Sequence, residues 1–174
     1  MFSLFKKKHT KNVSGAELAM NGLKNISVAI AQNMISLEKG RIHDDIYVHA
    51  DTPEGKTRVS YVMFSSTVKN EVIARCSVFN DRVENGVSVW QVDWAVAEQY
   101  RNQGFGTAVA TKAVEEFKSG MNGRLTGGFC LEAVVDPDNA KSNRIAANLI
   151  GNCESGVDTA TGKRAYSYLL HVPG

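Results

Sequence analysis

The chain has 174 residues, 43% hydrophobic and 22% charged, enough for one domain with its own core and too few for two comfortable ones. Its formal net charge of +2 falls short of the clustered basicity of a nucleic-acid binder. No apolar stretch approaches the roughly 20 residues that cross a bilayer.

The one basic run, Lys6 to Lys8 followed by His9, reads as a solvated tail over residues 1–13. The short apolar segment Phe2–Phe5 precedes those lysines, which is the wrong order for a secretory signal. Cys76, Cys130 and Cys153 form no CxxC pair. They read as free thiols and fit a reducing, cytoplasmic setting. His9, His43, His49 and His171 are scattered, so no metal is expected.

Ser14-Gly-Ala-Glu17 has the form of a capping box. Behind it Leu23, Ile26, Ile30, Met34 and Leu37 recur every three or four residues. The spacing predicts an amphipathic helix over 15–38, stopped by Gly40 and open to a break at Gly22. The period then changes. Ile46–Ala50, Thr57–Ser65, Glu71–Phe79 and Val87–Val96 are rich in Val, Ile, Tyr, Phe and Trp, with turn-like residues between them, including a loop over Asp81–Gly86. They read as antiparallel strands joined by short loops.

A second helix is predicted from Gly104 to Lys118, ended by Gly120 and Gly123. Val109, Ala113, Val114 and Phe117 would face inward, and Lys112, Glu115 and Glu116 outward. Phe129–Val135 reads as a strand buried on both faces. Asp136 to Asn139 breaks it and caps a third helix running to Leu149. Thr161-Gly162 is a turn before a last strand, Arg164–Val172, whose edge is expected to be exposed and open to a homodimer. The whole, residues 1–174, is one α+β domain without repeats.

The informative stretch runs from Val92 to Thr107. A strand ends near Val96, a short loop follows, and a helix begins at Gly104 and Gly106. Glycines at a helix N-terminus let backbone N–H groups approach an anion, and the helix dipole favours phosphate there. Arg101 offers a charged partner. A dinucleotide fingerprint is ruled out by Val109 at its third glycine position and Arg124 where an acid is needed. Gly156 to Lys163 has one residue too many for a Walker loop, and Arg164 stands where Ser or Thr is required.

Arg101-Asn-Gln-Gly104-Phe-Gly106 resembles the [QR]xxGx[GA] signature of GNAT N-acetyltransferases. Asn139-Ala-Lys-Ser142-Asn-Arg144 is similar to a second motif, in the form seen in ribosomal-protein alanine acetyltransferases. Together the motifs cover about residues 57–172. The resemblance implies a mixed, mostly antiparallel sheet flanked by helices, whose central strands splay around an acyl-CoA cleft. It implies that acetyl-CoA lies along the backbone of Trp94, Ala95 and Val96. Its diphosphate would rest on the turn of Arg101, Asn102, Gln103, Gly104, Phe105, Gly106 and Thr107. Asn139 and Ser142 would contact the pantetheine arm.

The implied reaction is direct attack of a primary amine on the thioester, with a backbone amide near Val96 stabilising the oxyanion. The acceptor is a small polyamine or amino sugar, a protein N-terminus or a lysine. An alkyl amine of pKa about 10.4 must lose a proton to attack, which calls for a base or a water relay and for an acid at the leaving thiolate. Asp93 is the candidate base, acting through water. The family often places a Tyr acid seven residues after the second-motif Asn, where this chain has Ala146. Tyr166, Tyr168, Ser142 and solvent are the alternatives, with Ser142 or solvent preferred. The missing Tyr and the lack of a strong base keep a second reading open, a non-catalytic acyl-CoA-binding or regulatory module of the same fold.

Overall fold

The computed structural model describes residues 13–158 and 162–174; the N-terminal basic run and Thr161 lie outside the described residues. The capping box forms. Ser14 Oγ accepts from the Glu17 N–H at 3.2 Å, and the Glu17 carboxylate accepts from the Ser14 N–H at 2.9 Å. These bonds open α1 (Gly15–Ala31).

The helix stops at Ala31, short of the expected 38. Asn33 turns the chain with a left-handed φ of 53°, and Met34, expected on the apolar stripe, is 70% exposed. Gly22 does not break α1. A Cβ there would lie 2.4 Å from Nη1 of Arg75, so this glycine is a seat for a buried guanidinium.

An antiparallel meander follows: β1 (Glu38–Lys39), β2 (Tyr47–Asp51), β3 (Arg58–Phe64), β4 (Val72–Glu84) and β5 (Val87–Val96). Strand β4 continues through the expected loop over 81–86, past a bulge at Asn80/Arg82. The turn is only Asn85-Gly86, with φ of 49° and 80°, the two-residue hairpin that Asn-Gly favours. Helix α2 (Phe105–Met121) then crosses over, so β6 (Phe129–Val135) joins β5 in parallel. Helix α3 (Ala140–Leu149), β7 (Cys153–Val157) and β8 (Arg164–Val172) complete the chain.

The sheet order is β1-β2-β3-β4-β5-β6-β8-β7. Strand β8 is therefore not the exposed edge expected of it: β6 pairs on one side and β7 on the other. Strand β7 escapes sequence reasoning because all five of its residues are exposed and show no apolar alternation.

Helix α1 covers one face of β3–β5, packing Ala19, Leu23 and Ile26 against Val62, Val72 and Ala95. Helix α2 covers the other, with Val109, Ala113, Val114 and Phe117 against Tyr61, Cys76, Val78 and Val92. Each large side chain buried this way contributes about 1.5–3 kcal/mol. Phe117 stands between Trp90 and Phe129, with ring centroids 5.0 and 5.5 Å away. Helix α3 lies on the α2 side, over β6 and β8.

Two expected orientations are corrected. Glu116 points inward and is 5% exposed. Its carboxylate accepts the N–H groups of Arg41, Ile42 and His43 at 2.9, 2.7 and 2.8 Å, clipping the loop before β2 onto α2. Gly40 serves this clip, since a Cβ would lie 2.6 Å from Glu116 Oε1; it is not a helix stop. Burial pushes the Glu116 carboxyl upward, but the three N–H bonds outweigh it and hold the group below its ordinary value. Strand β6 is not buried on both faces. Phe129, Leu131, Ala133 and Val135 are buried, whereas Glu132 meets polar partners on the opposite side and Val134 is 38% exposed.

Candidate active site

The parallel pairing of β5 with β6 runs from Ser88↔Phe129 to Gln91↔Glu132 and stops. Beyond it β5 stays on β4 as far as Val96, and β6 stays on β8 as far as Val135. The sheet opens there as a V between Val92–Val96 and Ala133–Val135. In an antiparallel ladder, successive residues point their backbone polar groups to alternate sides. The Ala97 N–H donates to the Ile73 carbonyl at 2.9 Å, which turns the N–H and C=O of Val96, and likewise of Trp94, toward the opening.

The turn after Val96 is shaped by two glycines for different reasons. Gly104 caps α2 with φ 85°, where a Cβ would meet nothing but the backbone conformation is left-handed. Gly106 has room problems instead, since a Cβ would sit 3.3 Å from Ile145 Cδ1 and 3.5 Å from Val96 Cγ2. Having no side chain, Gly104 leaves the N–H groups of Phe105, Gly106 and Thr107 uncapped, the arrangement that receives an anion.

Neighbours hold the turn in place. Tyr100 donates to the Glu71 carboxylate and sets its ring edge-on to Phe105. Gln103 Nε2 donates to the Gln99 carbonyl at 3.2 Å. Arg101 folds back, Nε donating to the Val96 carbonyl at 3.3 Å. Lys141, at the start of α3, reaches across to Asn102 Oδ1 and brings a cation to the turn that sequence reasoning did not single out.

Helix α3 forms the far wall. Asn139 Oδ1 accepts from the Ser142 N–H at 3.1 Å and so caps the helix. Asn143 Nδ2 donates to the carbonyls of Asp136 and Pro137 at 2.9 and 3.3 Å, while its Oδ1 accepts from the Tyr168 hydroxyl at 3.0 Å. Ala146 is fully buried in the cluster containing Tyr168 and Ala133.

Asp93 lies on the opposite, α1-side face, and the structure does not bring it beside Ser142. Its Oδ1 accepts from Arg75 Nη1 at 3.0 Å, with Arg75 4% and Asp93 34% exposed. Burial raises the Asp93 carboxyl, and Arg75 and Arg58 counter it. Where the V begins, the same face carries a further polar group. Glu132 accepts from Arg82 Nη1 at 2.6 Å and from Ser167 Oγ at 2.9 Å, with Gln91 Nε2 at 3.4 Å. Glu132 was legible only as a lone charge in an apolar strand. Asn143 sat unremarked inside the second motif.

Comparison with known proteins now bears on this geometry. The family description "Acetyltransferase (GNAT) domain" matches residues 32–149. Curated proteins give no match. Among solved structures, Arabidopsis thaliana NAA60 in complex with acetyl-CoA is 15% identical, with 67% of this chain and 77% of that one covered and a TM-score of 0.51. At that identity the likeness is one of fold. The acetyltransferase of GNAT family from Streptococcus pneumoniae is 13% identical at TM-score 0.49, covering 66% of each chain. Ribosomal-protein-S5-alanine acetyltransferase from Vibrio fischeri is 13% identical at 0.49, covering 66% of this chain and 61% of that one. The match thus spans a little under two thirds of these last two proteins.

Proposed function

Because the chain belongs to the GNAT acetyltransferase family, we propose that it moves the acetyl group of acetyl-CoA to a primary amine by direct attack. The observation that carries this reading is the inward-facing backbone of Trp94 and Val96 at an unpaired strand edge, immediately before an uncapped helix start. The edge suits a linear amide such as pantetheine, which can pair with it as a strand would. The N–H groups of Phe105 to Thr107, with Lys141 near, suit the diphosphate. The direction of the Val96 N–H, toward the opening, supports its use in stabilising an oxyanion. Asn139, used as a cap, contributes through the position of α3, and Ser142 belongs to the first turn that it caps.

The acceptor enters from the α1 side, where Asp93 relays a proton through water. Burial favours this role by raising its carboxyl toward the working range. The free cysteines support a cytoplasmic setting. Relatives whose names specify a ribosomal-protein or spermidine acetyltransferase frame the acceptor panel to try.

The test is thermal unfolding with saturating acetyl-CoA, followed by thiol release over polyamines, amino sugars, peptide N-termini and lysine. Binding at about 100 times Kd adds roughly 2.7 kcal/mol, a rise of about 5–11 °C for a domain of this size. Absence of that rise at millimolar acetyl-CoA would sink the proposal. Asp93→Asn should lower turnover about a hundredfold while preserving the rise.

A further inference from the structure

The proposed relay needs Asp93 charged and in place, and a carboxylate taken out of water turns neutral unless a cation holds it. Ser77 stands directly opposite Asp93 on β4 and is fully buried, but its Oγ makes no hydrogen bond. Among the described residues the one donor to Asp93 is Arg75, from Nη1 to Oδ1 at 3.0 Å. Oδ2 receives no hydrogen bond from them, and the side chain is 34% exposed. One oxygen is held and the other is open to water.

Arg75 is itself seated by α1. Its side chain is buried, and a Cβ at Gly22 would lie 2.4 Å from Nη1, the nitrogen that bonds Asp93, and 2.9 Å from Cζ. Any larger residue at position 22 would push on the bond itself. The helix is fixed there by Leu23 and Ile26 packing against Val62 and Ala95, which are the cross-strand partners of Arg75 on either side. The other charged groups on this face are committed elsewhere. Arg58 of β3 is bonded to Asp51 and adds only its field, Arg82 of β4 is bonded to Glu132 of β6, and Glu17 and Lys24 of α1 are exposed.

We propose that Arg75 is the positioning residue for Asp93 and that the bare face of α1 at Gly22 seats it, so that helix, guanidinium and carboxylate work as one unit. This rests on the acetyl-transfer reading above, with Asp93 as the relay base. The amine nitrogen passes a proton to water, and the water passes one to Oδ2. The nitrogen–carbon bond forms and the C–S pair departs with sulfur. Asp93 then returns its proton to solvent, which balances the one the thiolate takes up. Between turnovers the guanidinium keeps the carboxylate charged against the burial that would neutralise it.

The experiment measures kcat against pH at saturating acetyl-CoA and amine for wild type, Asp93→Asn, Arg75→Met, Arg75→Lys and Gly22→Ala. A carbon NMR titration of the Asp93 carboxyl, assigned by its loss in Asp93→Asn, runs alongside. Arg75→Met should move the acid limb and the carboxyl titration up together by about one pH unit or more, roughly a tenfold loss of kcat on that limb. The acetyl-CoA KM should stay within about threefold. Arg75→Lys, which keeps the charge, should recover most of the loss. Gly22→Ala should move both readouts the same way by less. Only the far end of a flexible side chain has to shift there, and alanine favours the helix, so the fold is kept while the bond is lost. Readouts left in place by both Arg75→Met and Gly22→Ala overturn the positioning role alone, and movement in Arg75→Met without Gly22→Ala overturns the seat. Asp93→Asn turning over within about twofold of wild type sinks the relay. Wild type that releases no thiol with any amine sinks the acetyl-transfer reading, and the positioning role falls with either.

Discussion

The two halves of the sheet that meet at the V are held by different physics. Strands β2–β5 form a continuous antiparallel ladder, covered by α1 on one face and α2 on the other. Strands β6, β8 and β7 have α3 on one face only. Among the described residues their other face carries no helix, but the Arg82–Glu132–Ser167 network and the exposed side chains of Val134 and Leu169. A half packed on both sides supplies a fixed edge at Trp94–Val96. A half packed on one side can carry polar chemistry at its surface, and it is tied to its neighbour by four residue pairs.

The largest effect should come from closing the space between the halves. Gly106→Glu would drive a side chain into Ile145 and Val96 and place a negative charge at the uncapped N–H groups. The acetyl-CoA-dependent rise in melting temperature should vanish while the unliganded protein still unfolds cooperatively. A smaller effect tests the one-sided half. Glu132→Ala takes from Ser167 its acceptor and from Arg82 one of three carboxylates, Asp81 and Glu84 remaining, and part of that loss is screened because Arg82 is half-exposed. Calorimetry should show a loss of about 1.5 kcal/mol, a fall of about 3–6 °C.

The smallest tests the two-sided half. Glu116→Gln keeps the side chain's size, removes its charge and turns one of its two accepting atoms into a donor, costing about 1 kcal/mol or more at neutral pH in urea unfolding. The folded carboxyl is held below its ordinary value. Its stabilisation is thus complete above the unfolded pKa of about 4.3 and is lost as pH falls through the folded value. Wild type and variant should therefore converge in acid; curves that stay parallel below pH ~4 would show that the charge does not hold the clip.

What sequence reasoning reached cuts across this division, since β6, α3 and β8 were read within their bounds as well as the strands of the other half. The meander, α2 and the glycine turn were readable because apolar periodicity and turn residues act locally. The resemblance came from the glycine turn and from the start of α3. The end of α1 at Ala31 was missed because Ile35 and Leu37 still pack against the α1 cluster after the helix has ended, which prolongs the apolar pattern. Glu116 looked like a surface residue, because its partners lie more than 70 positions away. Strand β7 has no pattern of its own and exists by pairing with β8. Asn143 and Tyr168, 25 residues apart, become a unit only when α3 is laid over β8.

An unpaired strand edge is ordinarily a hazard, because it offers a template on which another chain can build and aggregate. The edge at Trp94–Val96 is open yet enclosed. The four pairs close one end, β6 and β8 stand alongside, and α2 and α3 roof one face. A second polypeptide would have to thread into the middle of the sheet to use it. The place where the ladder is cut short thus offers its hydrogen bonds to a slender molecule and withholds them from other proteins, which lets the fold keep exposed backbone donors without sacrificing solubility.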